Sequence, residues 1–167
     1  GVFAVVLSEV YFNSTEGVEF YNNSALNGGA IFVRDSSLNV YSNLTMLHNT
    51  ARNGGAIFAY QSSINFKCEQ TCDIVIANNH ASQDGGGIWV LGTNIQLLQS
   101  LVFIDSNSAL ANGGGIFLQE SSKMYLLKHN IDPVESVLKV DFYFQHKILN
   151  PPYNYMVTCQ FDDTPPQ

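Results

Sequence analysis

Cations are scarce in this chain: 7 Lys and Arg stand against 14 Asp and Glu in 167 residues, for a formal net charge of −7. Phosphate-rich partners are held by clustered cations that displace counterions. No basic run exists here, which argues against nucleic acid or an anionic membrane surface as partner. Charged residues of both signs make up only 13% of the chain, so Asn, Ser, Gln and Gly must cover its surface. Long apolar runs are missing too. The longest, Val2 to Leu7, falls far short of the roughly 20 residues that cross a bilayer, and no membrane insertion is expected within this stretch. Apolar spacing of i, i+3, i+4, i+7 persists nowhere, so no amphipathic helix is expected. The N-terminus lacks a basic n-region and a cleavage site, and Gly1 stands in what reads as the middle of a strand. The chain therefore reads as a fragment whose targeting signals lie outside it. With 46% hydrophobic residues it still has enough for one ordinary core.

What the chain has is repetition. Four segments align, beginning near Val18, Leu44, Ile74 and Leu101, and their anchoring isoleucines Ile31, Ile57, Ile88 and Ile116 are 26, 31 and 28 residues apart. Gly1-Val2-Phe3 followed by Glu9-Val10-Tyr11-Phe12-Asn13 matches the second half of the same unit. Within a repeat, short runs such as Val18 to Tyr21, Ala30 to Val33 and Leu38 to Tyr41 are rich in β-branched and aromatic residues and read as strands. Asn, Ser and Gly clusters separate them. Three strands per coil at this period satisfy their backbone groups only by pairing with the same strand one coil above and below. The expected fold is all-β, a parallel β-helix of about four full coils preceded by a partial one.

Stacked coils put equivalent positions about 4.8 Å apart, so each column should hold one residue type. Five apolar columns do: Val18, Leu44, Ile74 and Val102; Phe20, Met46, Ile76 and Ile104; Ile31, Ile57, Ile88 and Ile116; Val33, Ala59, Val90 and Leu118; Leu38, Ile64 and Ile95. They are the predicted core. Asn23, Asn49, Asn79 and Asn107 form a further column, two residues before Ala25, Ala51, Ala81 and Ala109. Stacked amides can bond to one another and to the turn backbone, so a structural ladder is expected and not a binding site. The pairs Gly28-Gly29, Gly54-Gly55, Gly85-Gly86 and Gly113-Gly114 begin strands and precede no Lys-Ser/Thr. Tight corners with φ > 0 explain them better than a phosphate loop.

Phe20-Tyr-Asn-Asn23 fits an F-x-x-N motif, and Gly28-Gly29-Ala30-Ile31 and Gly54-Gly55-Ala56-Ile57 fit G-G-A-[ILV]. Over about Val18 to Leu127 the chain resembles the chlamydial polymorphic outer membrane protein (Pmp-type) repeat family, whose repeats also occur in large surface proteins of animals and protists. Met46, Ile76 and Ile104 replace the Phe, and the last two repeats carry Gly-Gly-Gly-Ile. The resemblance implies a right-handed β-helix, secreted or displayed on a cell surface and associated with adhesion and binding. It implies no catalytic residues.

Cys68 and Cys72 are four apart where the second repeat is longest. Such a pair suits a local disulfide closing a small hairpin in an oxidising compartment. A zinc site would need two more ligands, and only His80 follows, so no metal is assigned. Cys159 is left over, and its partner is open, one outside the fragment included. Sequons at Asn13, Asn22 and Asn43 are glycosylation candidates and favour a eukaryotic secreted protein.

If Ile31 and Val33 point inward, Phe32 points out, and its column continues as Phe58, Trp89 and Phe117. Four aromatics would climb one face over about 14 Å. One reading is a contact surface for sugar rings or protein. The other is that the rings stack on each other for stability beneath a covering loop or domain.

Other β-helices cleave polysaccharides, using carboxylates about 5 to 9.5 Å apart or a calcium cluster with a cationic base. Here Asp35 and Glu120 share a column but lie three coils apart. Arg34 and Arg52 fall in different columns, and Asp84 and Asp105 stand alone in loop and strand. His48, His80, His129 and His146 share no spacing. The chain is thus expected to be no enzyme and to need no cofactor. Residues 1–127 read as β-helix repeats and 128–167 as a degenerate coil, a cap or the start of a following region, with one strand in Val137 to Phe144 and a stop at Pro151-Pro152. The functional expectation is an extracellular or cell-surface repeat module, structural or adhesive, with glycans or cell-surface proteins as partners. A polysaccharide-acting enzyme fragment is the alternative.

Overall fold

A computed structural model of the chain describes residues 3–127 and 138–140; within its strands the side chains of residues 68–71, 98–100, 126–127 and 138–140 lie outside the description. The described residues contain strands and no helix. The first, partial coil holds β1 (Phe3–Val6) and β2 (Glu9–Phe12). The next holds β3 (Val18–Tyr21), β4 (Ile31–Arg34) and β5 (Ser37–Val40), and the one after begins with β6 (Leu44–Leu47), the short β7 (Thr50–Ala51) and β8 (Ile57–Tyr60). From there the third strand of one coil runs into the first strand of the next. Thus β9 spans Ser63–Ala77, followed by β10 (His80–Ala81) and β11 (Ile88–Leu91), and β12 spans Asn94–Asp105, followed by β13 (Ser108–Ala109), β14 (Ile116–Gln119), β15 (Lys123–Leu127) and β16 (Leu138–Val140).

Every pairing between these strands is parallel and joins neighbouring coils. One sheet has the order β1-β4-β8-β11-β14, a three-stranded sheet has β13-β10-β7, and a larger sheet follows β15-β12-β9-β5-β2 with β3, β6 and β16 beside that path. The molecule is a parallel β-solenoid of about four turns. The register joins Ile31 to Ile57, Ile57 to Ile88 and Ile88 to Ile116, which are the predicted anchors. β16 continues the parallel register of this sheet, Leu138 pairing with Val102 and Val140 with Ile104. It falls within the predicted Val137 to Phe144 strand; the rest of 128–167, with Cys159, His129 and His146, lies outside the described residues.

The five predicted columns line the interior, and most of their members are fully buried. Leu118 departs from this at 42% exposure, because β14 ends its sheet and has no neighbour above it among the described residues. A sixth interior column, unforeseen, joins Phe12, Val40, Phe66 and Leu97. Phe66 is among the largest fully buried side chains, so this column closes the core at the corner after the third strand.

The segment around Cys68 and Cys72, expected to be an elongated loop with a hairpin, is instead continuous strand within β9. Its pairing with β12 runs from Ser63↔Asn94 to Lys67↔Leu98 and resumes at Cys72↔Ser100. Four residues of β9 therefore face one of β12, and this bulge absorbs the extra length of the repeat. A bulge lets a ladder resume in register without leaving the sheet, which removes the need for a hairpin. Cys72 is buried; the side chain of Cys68 lies outside the described residues.

Polar ladders set the corners. Asn49 Nδ2 donates to Asn79 Oδ1 at 3.0 Å and to the Phe20 carbonyl at 3.1 Å, while its Oδ1 accepts from the Asn23 backbone N–H at 3.0 Å and from Asn23 Nδ2 at 2.9 Å. Both donors and both acceptor lone pairs are used. Asn79 repeats the pattern against Asn107 and the Met46 carbonyl, and Asn107 Nδ2 donates to the Ile76 carbonyl. The residue before each ladder Asn is left-handed: Asn22, His48, Asn78 and Ser106 have φ of 54, 56, 54 and 50°. The F-x-x-N motif is thereby explained. The apolar residue supplies a core side chain and the carbonyl that the next coil's amide seeks, a left-handed residue reverses the chain, and Asn ties the reversal down.

At the next corner the double glycines do two jobs. The first of each pair has φ of 61 to 67°, as expected. The second is required by space, since a Cβ on Gly55 would run into the carbonyl oxygen of Gly86 in the coil above. The residue just before them forms a second amide column, Asn27, Asn53, Asp84 and Asn112, linked by Asn53 Nδ2 to Asn27 Oδ1 and Asn112 Nδ2 to Asp84 Oδ1. Asp84, read as isolated, is a rung of that column. At the third corner Ser8, Ser36, Ser62, Thr93 and Ser122 form a hydroxyl ladder in which each oxygen accepts the backbone N–H of the previous rung.

Candidate functional site

The outer face of the sheet β1-β4-β8-β11-β14 carries two side-chain columns, because alternate residues of each strand point away from the core. The register aligns Ala4, Phe32, Phe58, Trp89 and Phe117 in one and Val6, Arg34, Tyr60, Leu91 and Gln119 in the other. The four predicted aromatics thus form a single outward stack. Parallel in-register pairing holds each ring over its neighbour, and the centroids are 5.3 Å apart for Phe32 and Phe58, 4.3 Å for Phe58 and Trp89, and 6.5 Å for Trp89 and Phe117. The first two pairs are parallel within 3°.

Stacking decides how much of the ladder a ligand can touch. Trp89 is only 9% exposed and the three phenylalanines are half-buried. Its ring faces are taken by Phe58 and Phe117, so a partner meets ring edges, together with the half-buried Tyr60 and Leu91 in the next column. Aromatic pairs of this kind contribute about 0.5–1.5 kcal/mol each beyond area burial. The ladder is therefore a stabilising element as well as a surface. Flanking charge is slight: the exposed Arg34 lies 3.6 Å from Asp35, and an ion pair this open to solvent contributes little.

The remaining candidates are dispersed. Asp35 and Glu120 occupy one column at the corner after this sheet, separated by Gln61 and Gly92, as their strand neighbours show. No group of three His, Cys, Asp or Glu able to hold a metal occurs among the described residues. His80 Nδ1 and Ser108 Oγ are 2.9 Å apart where β10 pairs with β13. The sequon asparagines Asn13, Asn22 and Asn43 are all exposed, and Asn43 Oδ1 accepts the Asp73 backbone N–H at 3.0 Å. By contrast, Asn49, Asn79 and Asn107 are buried inside their ladder.

The sequence reading missed the hydroxyl corner ladder and the amide column before the glycines. Both were visible: Ser36-Ser37 and Ser62-Ser63 follow equivalent strands, and Asn, Asn, Asp and Asn precede the four Gly-Gly pairs.

Compared with known families, residues 17–34, 43–60 and 73–90 match the Chlamydia polymorphic membrane protein (Chlamydia_PMP) repeat. Each match runs from the first strand of a coil through its Asn corner and glycine pair to the aromatic-bearing strand, so each matched repeat covers the same two strands of one coil and leaves out the third. That family is not an enzyme family, and the likeness is to surface-associated repeat proteins. No curated protein and no solved structure matches the chain.

Proposed function

We propose that this chain is a non-enzymatic repeat module displayed outside the cell or on its surface, where its solenoid serves a structural and adhesive role. The sharper form of this reading has glycans or cell-surface proteins engage the outer face along Phe32, Phe58, Trp89 and Phe117. The observation that carries it is the coincidence of three matched repeats with a sheet face whose outward positions are aromatic in four successive coils. Outward positions of a solvated sheet are ordinarily polar, and a continuous apolar strip there marks a contact surface. A Cys68–Cys72 disulfide and glycosylation at exposed sequons belong to the same reading, since both require an oxidising, secretory route.

The test is a glycan and cell-surface binding array on the oxidised chain with two variants beside it. Phe58→Ser with Trp89→Ser removes the centre of the stack. Tyr60→Ser with Leu91→Ser strips the adjacent column and leaves the stacked rings intact. Saturable binding weakened at least tenfold in both variants supports a recognition face. Binding unchanged in the folded Tyr60/Leu91 variant, with only thermal stability lost in the other, would leave the ladder a stabilising element alone.

A further inference from the structure

Away from the ladder, one exposed aromatic pair is unexplained by packing. Tyr11 is 57% exposed and stacks on Tyr41 with centroids 6.2 Å apart and ring planes 16° from parallel. Each tyrosine stands two residues before a sequon asparagine that has Thr in its third position: Tyr11-Phe12-Asn13-Ser14-Thr15 and Tyr41-Ser42-Asn43-Leu44-Thr45. In both units the middle residue is turned inward, Phe12 and Ser42 being buried, while the tyrosine and asparagine beside it face outward. The two units also sit on top of one another, because the Tyr41 N–H donates to the Phe12 carbonyl at 2.8 Å.

Resting on the reading of the chain as a secreted glycoprotein, we infer that Asn13 and Asn43 carry N-linked glycans whose first sugar ring packs on the Tyr11–Tyr41 pair. The amide geometry favours it. Asn43 Oδ1 is held by the Asp73 N–H, which aims the side chain, and its Nδ2, the atom that takes the sugar, makes no hydrogen bond among the described residues. Asn49 and Asn79 of the ladder commit both Nδ2 hydrogens and are buried. The third sequon provides the internal contrast. Two residues before Asn22 stands Phe20, which is turned into the core at 9% exposure, so the spacing shared by the other two sequons presents no exposed ring there.

The modification joins Asn Nδ2 to the anomeric carbon of an oligosaccharyl lipid diphosphate. The lipid diphosphate leaves, and the amide gives up one proton. The apolar C–H face of the sugar then lies against a phenol ring, covering surface that would otherwise face water. An exposed tyrosine pair becomes a platform for carbohydrate.

The experiment expresses the chain through a eukaryotic secretory pathway and measures site occupancy by glycopeptide mass spectrometry. Melting temperature is then followed through a cycle of Asn13→Gln with Asn43→Gln crossed with Tyr11→Ser and Tyr41→Ser. Occupied sites, with a glycan-dependent rise in melting temperature of about 2–4 °C that vanishes in the Ser background, are the expected result. Contacts between sugar C–H and tyrosine ring protons seen by NMR give a second readout independent of folding in the variants. Unoccupied Asn13 and Asn43 would overturn this inference, and an unoccupied Asn22 beside them would overturn the glycoprotein reading as well. Occupied sites with equal shifts in both backgrounds and no ring contacts would overturn the seat alone.

Discussion

Asn49→Ala is the most informative single substitution, because Asn49 is wholly buried and uses every hydrogen-bonding group of its side chain. Removing it strips the acceptor from the Asn23 backbone N–H and a donor from the Phe20 carbonyl. Asn79 Oδ1 keeps the Asn49 backbone N–H, and Asn23 Nδ2 is half-buried and can turn to water. The Asn23 N–H is newly unsatisfied at about 1–3 kcal/mol, and the Phe20 carbonyl, which keeps its ladder bond to β6, loses a second donor at about 1 kcal/mol, for an expected loss near 3 kcal/mol. In urea, with a slope near 2 kcal/mol/M, that is a midpoint shift of about 1.5 M. Trp89, the sole tryptophan, reports the transition by fluorescence. Asn94→Ala, at an exposed strand position, is the control and should stay within about 0.5 kcal/mol of the parent. Asn49→Asp keeps the shape but sets a buried carboxylate against two oxygens, so its folded pKa rises above the ordinary value of about 3.9. Its deficit is then largest at neutral pH and shrinks as pH falls toward and below that value. A loss in Asn49→Ala no greater than in the control would refute the view that the amide ladder holds the coils together.

Trp89→Ala removes two stacked contacts and a buried side chain, and about 3–4 kcal/mol should be lost in chemical denaturation. Gly55→Ala drives a Cβ into the Gly86 carbonyl and should cost about 3 kcal/mol or prevent folding, whereas Gly92→Ala, where space is open but φ is +58°, should cost about 1 kcal/mol; circular dichroism melts separate the two. The Tyr11 phenol is held above its ordinary 10.0 by its hydrogen bond to Glu9, with a smaller push from burial and from the Glu9 charge. Ultraviolet titration should find one tyrosine ionising late, and Glu9→Gln should return it toward the ordinary value.

Much of the architecture was legible because stacking forces the same position of every coil into contact, so the isoleucine and asparagine columns declare themselves by residue type. Boundaries were less legible. Lys67 to Asp73 looks like a loop by its polar residues and close cysteines, yet parallel pairing with β12 carries it as strand, a tertiary effect that no local pattern encodes. The sixth core column was hidden because Phe12 and Val40 end their strands and Phe66 and Leu97 stand where β9 and β12 pass from one coil to the next, places where alternation alone cannot tell a core residue from a turn residue. For the aromatic face, alternation correctly sent Phe32 and its companions outward. How far they remain exposed depends on ring-to-ring distance, and the 4.3 Å stack that buries Trp89 is set by backbone register.

The asparagine ladder also has a direction. Each Asn gives its backbone N–H and one Nδ2 hydrogen to the Oδ1 of its C-terminal neighbour, while its second Nδ2 hydrogen returns to a carbonyl of the preceding coil. Injury to one rung is therefore lopsided: the preceding coil loses the acceptor of a backbone N–H, while the following coil loses only a second donor to an oxygen already engaged. In the Asn49 variant, hydrogen exchange should quicken at the Asn23 amide and leave the Asn79 amide protected. A defect in such a stack spreads backward along the chain, and the coil that opens first is the one before the lesion.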